Sequence, residues 1–402
     1  MWPFSSPSRA RERLYFDYAA ATPLHIEARK AMDGATHLFG NPGSIHRDGM
    51  MAEEALDTAR KTIAGVFEVP AHTIYFTSGG TEGNNLAIFG VARARVFPHP
   101  EKKVHIVVAA IEHASVLEPV KHMQEMGVSV TLVAPDSDGR ITPAAIRAAL
   151  TPETALVSVG WANGEVGTVQ SIHAIAQCIR QYEKEYSTSI VFHTDAGQAP
   201  LYLPGMVSGL GVDVMTLDSG KLYGPRGVGA LYVRDASMLA PVLYGGGQEG
   251  GIRPGTENVQ LAVGFAAALT AGARARKEES RRLVGLRSKL TDELRKHLPE
   301  MVVNGARDAA LPHIVHVSIP DIDAEYIALA LDAKGISVST KSSCEEGERV
   351  SRVVAAMVQP EALWRAQNTL RLSMGNDTTE AEVVRCAEVL AHVVAQYRNF
   401  AK

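Results

Sequence analysis

The segment Val212-Asp-Val-Met-Thr-Leu-Asp-Ser-Gly-Lys221-Leu-Tyr-Gly-Pro-Arg-Gly-Val-Gly-Ala-Leu-Tyr-Val233 contains two short apolar runs joined by a polar turn and a Gly/Pro loop. The pattern predicts two buried strands with Lys221 on the tight connection between them. A lysine in such a place is costly to bury unless its amine is used. That amine can condense with an aldehyde as a Schiff base. For a lone lysine, a solvated loop position is the commoner outcome.

Apolar runs and helical patterns alternate on both sides of this segment, which is typical of a mostly parallel α/β sheet with crossover helices. We expect a large domain over residues 25–260 and a smaller α+β domain formed by residues 1–24 and 261–402. Seven strands are predicted for the large domain, at residues 73–77, 104–110, 129–134, 155–160, 190–193, 212–217 and 229–233.

Asp195 ends the β-rich run Ile190-Val-Phe-His-Thr-Asp195, at the sheet edge where open α/β sheets bind ligands. A carboxylate there can keep the pyridine nitrogen of pyridoxal phosphate (PLP) protonated, so that the ring accepts electrons from a substrate carbanion. Gln198, three residues on, is placed to hydrogen-bond the ring hydroxyl. Taken alone, an aspartate at a strand end is more often a turn or cap residue.

Two further segments offer partners for the same cofactor. A strand leads into Thr77-Ser-Gly-Gly-Thr81 and then into a helical pattern, so Gly80 and the Thr81 hydroxyl can bind a phosphate at a helix N-terminus. An ordinary capped helix explains that segment equally well. His113 follows the apolar run 104–110 and can stack on a flat ring, although a core or loop histidine is commoner.

Composition excludes several other classes of protein. The chain has 402 residues, 46% of them hydrophobic, and a net charge of −4, so it can bury a large core and carries no basic footprint for nucleic acid. Three cysteines suit a reducing compartment, and we expect a cytoplasmic protein with no membrane span. The fourteen histidines show no paired spacing of the zinc-site kind, so no metal site is expected.

Jointly these motifs resemble the cysteine desulfurases of the NifS/IscS family, which are class V, fold-type I PLP enzymes. The resemblance covers nearly the whole chain, with the motifs in the family's order. It is carried by Tyr15-Phe-Asp-Tyr-Ala-Ala-Ala-Thr-Pro23, Phe39-Gly-Asn-Pro-Gly-Ser-Ile-His46, Thr77-Ser-Gly-Gly-Thr-Glu82, Glu112-His113, Asp195-Ala-Gly-Gln198, the segment from Lys221 to Val233, Gly245-Gly-Gly-Gln-Glu-Gly-Gly-Ile-Arg-Pro-Gly-Thr256, Ser343-Cys344 and Arg371-Leu-Ser-Met-Gly375.

The resemblance implies a role for each matching position. It implies a homodimer acting on L-cysteine, with alanine as product and a sulfur-acceptor protein as partner. Lys221 is implied to hold PLP covalently and to move the substrate α-proton, and Cys344 to attack the substrate sulfur and become a persulfide. The remaining implied roles are cofactor binding by Gly80, Thr81, His113, Asn163, Asp195, Gln198, Ser219 and Thr256 (the last from the partner subunit), and substrate binding by Asn41 and Arg371.

Cys344 can also be judged from its surroundings. The polar run Ser337-Val-Ser-Thr-Lys-Ser-Ser-Cys344-Glu-Glu-Gly-Glu has no apolar period and predicts an exposed loop, which lets a thiol reach both a substrate and an acceptor. Lys341 favours the reactive thiolate and the following glutamates oppose it, so the sequence leaves the balance open. Cys178 and Cys386 lie in helical patterns and are expected to be buried apolar residues.

Two positions depart from the family pattern. Asp218-Ser219-Gly220 stands where the family has Ser-Gly-His, and an aspartate near a phosphate repels it unless it turns away. Gly164 stands where an asparagine contacts the cofactor, so we expect Asn163 to take over only if the backbone moves. Longer family members also extend beyond the position of Lys402 with an acceptor-docking tail.

These observations predict a cytoplasmic, PLP-dependent cysteine desulfurase. Two alternatives stay open at this point: another class V reaction, such as selenocysteine lyase or aminotransferase chemistry with Cys344 as a bystander, and a PLP-fold binding protein without activity.

Overall fold

The computed structural model describes residues 13–96, 103–341 and 350–400. Its strands are β1 Leu14–Tyr15, β2 Ile74–Thr77, β3 His105–Ala109, β4 Ser129–Val133, β5 Thr154–Ser158, β6 Val191–Asp195, β7 Val214–Asp218, β8 Gly229–Val233, β9 Val302–Val303, β10 Ile314–Ser318, β11 Ile336–Ser337 and β12 Thr369–Ser373. Its α-helices are α1 Ile26–Gly34, α2 Arg47–Phe67, α3 Gly80–Val96, α4 Ala114–Glu125, α5 Pro143–Ala149, α6 Ile172–Tyr186, α7 Val207–Leu210, α8 Val259–His297, α9 Ala324–Ala333, α10 Arg352–Met357, α11 Trp364–Gln367 and α12 Glu380–Phe400.

A seven-stranded sheet in the order β2-β8-β7-β6-β5-β3-β4 forms the centre of the molecule. Strand β8 pairs antiparallel with both β2 and β7, whereas the other pairings are parallel. Six strands therefore run the same way and end at one edge. The predicted mostly parallel α/β sheet is confirmed, and each of its seven predicted strands lies within two residues of the observed bounds.

Alternating side chains of the sheet enter two different buried clusters, as the period of two in a strand requires. Ile106 and Val108 of β3 pack with residues of α3 and α4. Val107 and Ala109 pack on the opposite face with residues of α6 and of the C-terminal part. This second cluster contains residues of both predicted domains, so the boundaries near residues 24 and 260 stay a prediction.

The C-terminal part contains a strand that the sequence pattern did not predict. Strand β12 pairs antiparallel with β10, which also pairs with β9, and all five β12 residues are buried. Its sequence Thr369-Leu-Arg-Leu-Ser places polar residues at alternate positions, which is typical of a half-exposed strand rather than a buried one. Strand β1 pairs with β11, which brings the N-terminal segment to this part of the molecule.

The 39-residue helix α8 packs on α1, α2 and α12. Within the described residues, none of the helices is both long and apolar enough to cross a bilayer.

Candidate active site

Four parallel strands place residues at their carboxyl ends around one cleft at the edge of the sheet. These strands are β3, β5, β6 and β7, and the position is the one at which open α/β sheets bind ligands. Two adjoining cavities share the cleft, and their common lining is Ile111, Glu112, His113, Asn163, Gly164, Gln198 and Lys221. Asp195 and Gly197 also line one cavity, and Arg352 and Arg371 also line the other.

Lys221 ends a single 3₁₀ turn, Ser219–Lys221, that follows β7 directly. Its side chain passes over Gly197, where an added Cβ would lie 3.6 Å from the Lys221 Cδ and 3.1 Å from Asp195 Oδ1. A glycine at 197 therefore leaves the lysine and the aspartate facing the same space.

Asp195 is held as a carboxylate at the end of β6. Asn84 Nδ2 donates to Oδ2 at 2.8 Å, and the Gly197 backbone N–H donates to Oδ1 at 2.8 Å. Burial opposes ionisation, but the charge of Lys221 and these two donors outweigh it and lower the pKa of Asp195 below its ordinary value. The group is therefore suited to hold a protonated heterocyclic nitrogen.

A hydrogen-bond chain fixes the protonation state of His113. The carboxylate of Asp195 can only accept, so Asn84 must present its Nδ2, which also donates to Ser115 Oγ at 2.8 Å. Ser115 then directs its hydroxyl proton to His113 Nδ1 at 2.7 Å, and its backbone N–H donates to the same nitrogen. Burial, followed by the charge of Lys221, lowers the pKa of His113 to about 4. The ring is neutral at pH 7 and carries its proton on Nε2.

Arg371 lies in the middle of β12, is 3% exposed, and already has a carboxylate partner. Its Nη2 donates to Asp17 Oδ1 at 2.9 Å, and its Nη1 donates to the Gly164 backbone oxygen at 2.9 Å. Ser339 Oγ donates to the same Asp17 oxygen at 2.9 Å. A substrate carboxylate bound by Arg371 would have to replace that of Asp17.

Comparison with known proteins agrees with this geometry. The family model described as "Aminotransferase class-V" matches residues 14–386. This chain belongs to the class-V aminotransferase family. It is 36% identical over 391 residues to a protein named Cysteine desulfurase IscS from Dictyoglomus turgidum, covering 97% of this chain and 96% of that one. It is 37% identical over 387 residues to Cysteine desulfurase IscS 1 from Archaeoglobus fulgidus, covering 96% and 98%.

Solved structures give the same result. A protein titled "NIFS-LIKE PROTEIN" superposes with a TM-score of 0.87 at 30% identity, covering 96% of this chain and all of that chain. A structure titled "SspA in complex with cysteine" superposes with a TM-score of 0.74 at 31% identity, covering 90% and 98%. Class-V aminotransferases of the cysteine desulfurase kind depend on PLP.

The ring end of this class-V site fits PLP. Asp195 presents an ionised carboxylate, His113 a neutral flat ring and Lys221 an amine, all lining one space. Gln198 also lines the space, although its Nε2 donates to the Ala19 backbone oxygen at 2.7 Å. An added Cβ at Gly164 would lie 3.3 Å from Gln198 Cγ, so Gln198 fills the room that a larger residue at 164 would need.

Asn163 lines the cavity, but its side-chain amide already makes hydrogen bonds to nearby backbone groups. Its Nδ2 donates to the Ile111 backbone oxygen at 2.9 Å, and its Oδ1 accepts from the backbone N–H groups of Glu165 and Val166 at 2.9 Å each. The cofactor contact predicted for Asn163 stays a prediction, and beside these bonds only the second Nδ2 proton is left for it.

Glu112 is a site residue for which the sequence motif suggested no role. It lines both cavities and accepts the Gly160 backbone N–H at 2.7 Å. Burial, assisted by the charge of Asp195, raises the pKa of Glu112 to about 8 despite that hydrogen bond. Glu112 is therefore protonated at pH 7. The only sequence signal was its position beside His113, directly after a strand.

The phosphate end of the site differs from the expectation. Gly80 begins α3, as predicted, but its backbone N–H donates to Asp218 Oδ2 at 3.0 Å. Thr81 is exposed in the first turn of α3, and the described cavity lining does not include it. Ser219 is fully buried with its Oγ against Gly224, where an added Cβ would lie 2.1 Å away. Ser219 therefore turns away from the cavity.

The chain's own fold does not bring Asn41 or Thr256 to this cleft. Both are exposed, and Asn41 Oδ1 accepts the Gly43 backbone N–H at 2.9 Å. Cys344 and Ser343 lie outside the described residues. No cluster of three or more potential metal ligands occurs within the ranges that the structure describes.

Proposed function

We propose that this chain is a PLP-dependent cysteine desulfurase that removes sulfur from L-cysteine and releases L-alanine. The observation that carries the proposal is the meeting of Lys221, ionised Asp195 and neutral His113 in one cleft with Arg371 in its wall. The names of the full-length relatives support it.

Each side chain has a role that its environment explains. PLP, when bound, supplies an electron sink that weakens bonds at the substrate α- and β-carbons. Asp195 would hold a proton on the ring nitrogen, and the neutral ring of His113, protonated on Nε2, would stack on the cofactor ring. Lys221 Nζ takes the proton from the substrate α-carbon. Arg371 binds the substrate carboxylate in a guanidinium fork, in exchange for Asp17.

The sulfur step is assigned to Cys344. Its thiolate attacks the substrate sulfur, the bond between the β-carbon and sulfur breaks, and the sulfur remains on Cys344 as a persulfide. The three-carbon product takes up protons and leaves as alanine. Cysteine and a thiol thus give alanine and a persulfide, and no outside oxidant or reductant is needed.

The test measures alanine and sulfide release from L-cysteine. We expect Lys221→Ala and Cys344→Ala each to lower both rates by about a hundredfold or more, because each removes a reacting group. Cys178→Ala is the matched control, since the Cys178 thiol donates a hydrogen bond to the Pro143 backbone oxygen at 3.3 Å and does not line the cleft. Full turnover in Cys344→Ala would instead indicate a different class-V reaction, and a missing Lys221-dependent absorbance band would indicate a binding protein.

We also propose that the active form is a homodimer. Phe39 is 82% exposed and Ile45 is 96% exposed, on the segment that carries Asn41. A groove of about 600 Å³ between α1, α2 and α8 lies beside this segment and is mostly apolar. Exposed large apolar side chains beside an apolar groove are typical of an interface. A second copy would cover it and place Asn41 and Thr256 near the neighbouring cleft.

A sulfur-acceptor protein, such as an iron–sulfur scaffold or a tRNA-thiolation enzyme, is proposed as the partner of the persulfide. We place the chain in the cytoplasm because its cysteine usage suits a reducing compartment. Incubating the persulfide form with candidate acceptors and following transfer of labelled sulfur tests the partner directly.

A further inference from the structure

The N-terminus of α3 is already occupied by an anion from the same chain. Asp218, the last residue of β7, accepts the Gly80 N–H at 3.0 Å. An added Cβ at Gly80 would lie 3.0 Å from Asp218 Oδ2 and 3.3 Å from its Cβ, so the carboxylate packs directly on the first turn. Free N–H groups and the helix dipole make such a turn the natural site for a phosphate.

The two residues that follow Asp218 offer no replacement donor. Ser219 Oγ is buried against Gly224 and has no hydrogen-bond partner among the described residues. Gly220 has no side chain, and an added Cβ would lie 3.3 Å from both Asp218 Oδ1 and Arg226 Cγ. The space of residue 220 is thus shared by Asp218 and Arg226, which means that the residues at 218 and 220 are sterically linked.

We propose that Asp218 and the phosphate of PLP compete for the N-terminus of α3, so that the phosphate adds little to cofactor binding in this protein. The inference rests on the proposed PLP-dependent function and concerns only how the cofactor is retained. A phosphate that enters must displace Asp218 from Gly80, because two anions within a few ångströms repel each other. Retention then depends on Lys221, Asp195 and His113 at the ring end.

The test compares PLP with pyridoxal, which has the same ring and aldehyde but no phosphate. Dissociation constants of both are measured by ring absorbance on the full-length chain after cofactor removal. Asp218→Asn removes the charge at constant shape, and Asp218→Ser removes the charge and introduces a short hydroxyl that can donate a hydrogen bond. Asp323→Ser is the matched control, since Asp323 caps α9 by accepting the Tyr326 N–H at 2.9 Å, outside the cleft.

We expect both Asp218 variants to bind PLP at least tenfold more tightly and to bind pyridoxal within twofold of the unaltered chain. Calorimetry should show the same gain for inorganic phosphate, and Asp323→Ser should change none of these constants. Unchanged or weaker PLP binding in both variants overturns the competition, and so does an equal gain for pyridoxal.

A second pair of variants tests the steric link. Gly220→His alone should not improve PLP binding, because the ring meets Asp218 and Arg226. Combined with Asp218→Ser, it should improve binding by more than the two single changes together, as coupled neighbours do. Additive effects overturn the link. If every variant binds the cofactor ring normally but no alanine forms at saturating PLP, the proposed function fails. The ratio of the PLP and pyridoxal dissociation constants still decides whether Asp218 and the phosphate compete.

Discussion

At the scale of single residues, the sequence predicted the polar side chains that follow strands but not the side chains that hydrogen-bond to them. Lys221, Asp195 and His113 could be predicted because each lies within four residues of the end of an apolar run. Asn84 and Asp17 could not be assigned, because their partners are distant in sequence: Asn84 lies 111 positions from Asp195, and Asp17 lies 354 positions from Arg371. Periodicity carries no information about such pairs.

Glu112→Gln should change how stability depends on pH. The raised pKa of about 8 means that folded Glu112 keeps its proton where the unfolded carboxyl, with an ordinary pKa of 4.5, has lost it. Stability therefore falls as pH rises through this window, and the neutral amide removes that loss. In thermal unfolding we expect the variant to match the unaltered chain near pH 5 and to exceed its Tm by roughly 3 °C or more near pH 8. A pH-independent difference would contradict the assignment.

At the scale of elements, the glycine-rich segment that precedes Thr256 is fixed by a buried ion pair. Glu249 adopts a left-handed conformation with φ 47°, and its side chain is fully buried. Arg60 of α2 donates to both Glu249 oxygens at 2.7 Å, and the Phe76 N–H of β2 donates at 2.8 Å. On the other side, Arg253 Nε donates to Glu82 of α3 at 2.9 Å. Thr256 therefore follows a segment anchored on both sides.

Glu249→Ala should destabilise the fold by about 3–5 kcal/mol, because it leaves Arg60 and the Phe76 N–H buried without their partner. The matched control is Glu27→Ala, which removes a largely exposed Arg–Glu pair in which Arg274 Nη2 contacts both Glu27 oxygens at 2.7 Å. We expect about 0–1 kcal/mol there. Denaturant unfolding measures the free energy of unfolding of both variants. Equal losses of stability would contradict the claim that burial makes the Arg60–Glu249 pair the more important one.

At the scale of the whole molecule, the seven-stranded sheet could be predicted because its strands are short, apolar and regularly separated by helices. The strands of the C-terminal part were harder to predict, because the buried Arg371 gives β12 the alternating pattern of a half-exposed strand. The proposed partner subunit could be inferred only indirectly, from the exposed apolar side chains Phe39 and Ile45 on the segment that carries Asn41.

Ile45→Glu should shift the protein from dimer to monomer, because it places a charge in the proposed apolar interface. Leu329→Glu is the control, since Leu329 is exposed on α9, away from the groove. Light scattering after size-exclusion chromatography gives the mass, and we expect desulfuration to fall only in Ile45→Glu. A monomeric mass for the unaltered chain at micromolar concentration would remove the dimer.

The pairing of Arg371 with Asp17 has a consequence for which amines can enter the cleft. An amino acid offers a carboxylate in place of that of Asp17, so the Arg371 guanidinium has a carboxylate partner both before and after the exchange. A decarboxylated analogue such as cysteamine has no carboxylate to replace that of Asp17. The Arg371–Asp17 pair therefore stays intact, and no ion pair orients the amine and sulfur of the analogue in the cleft.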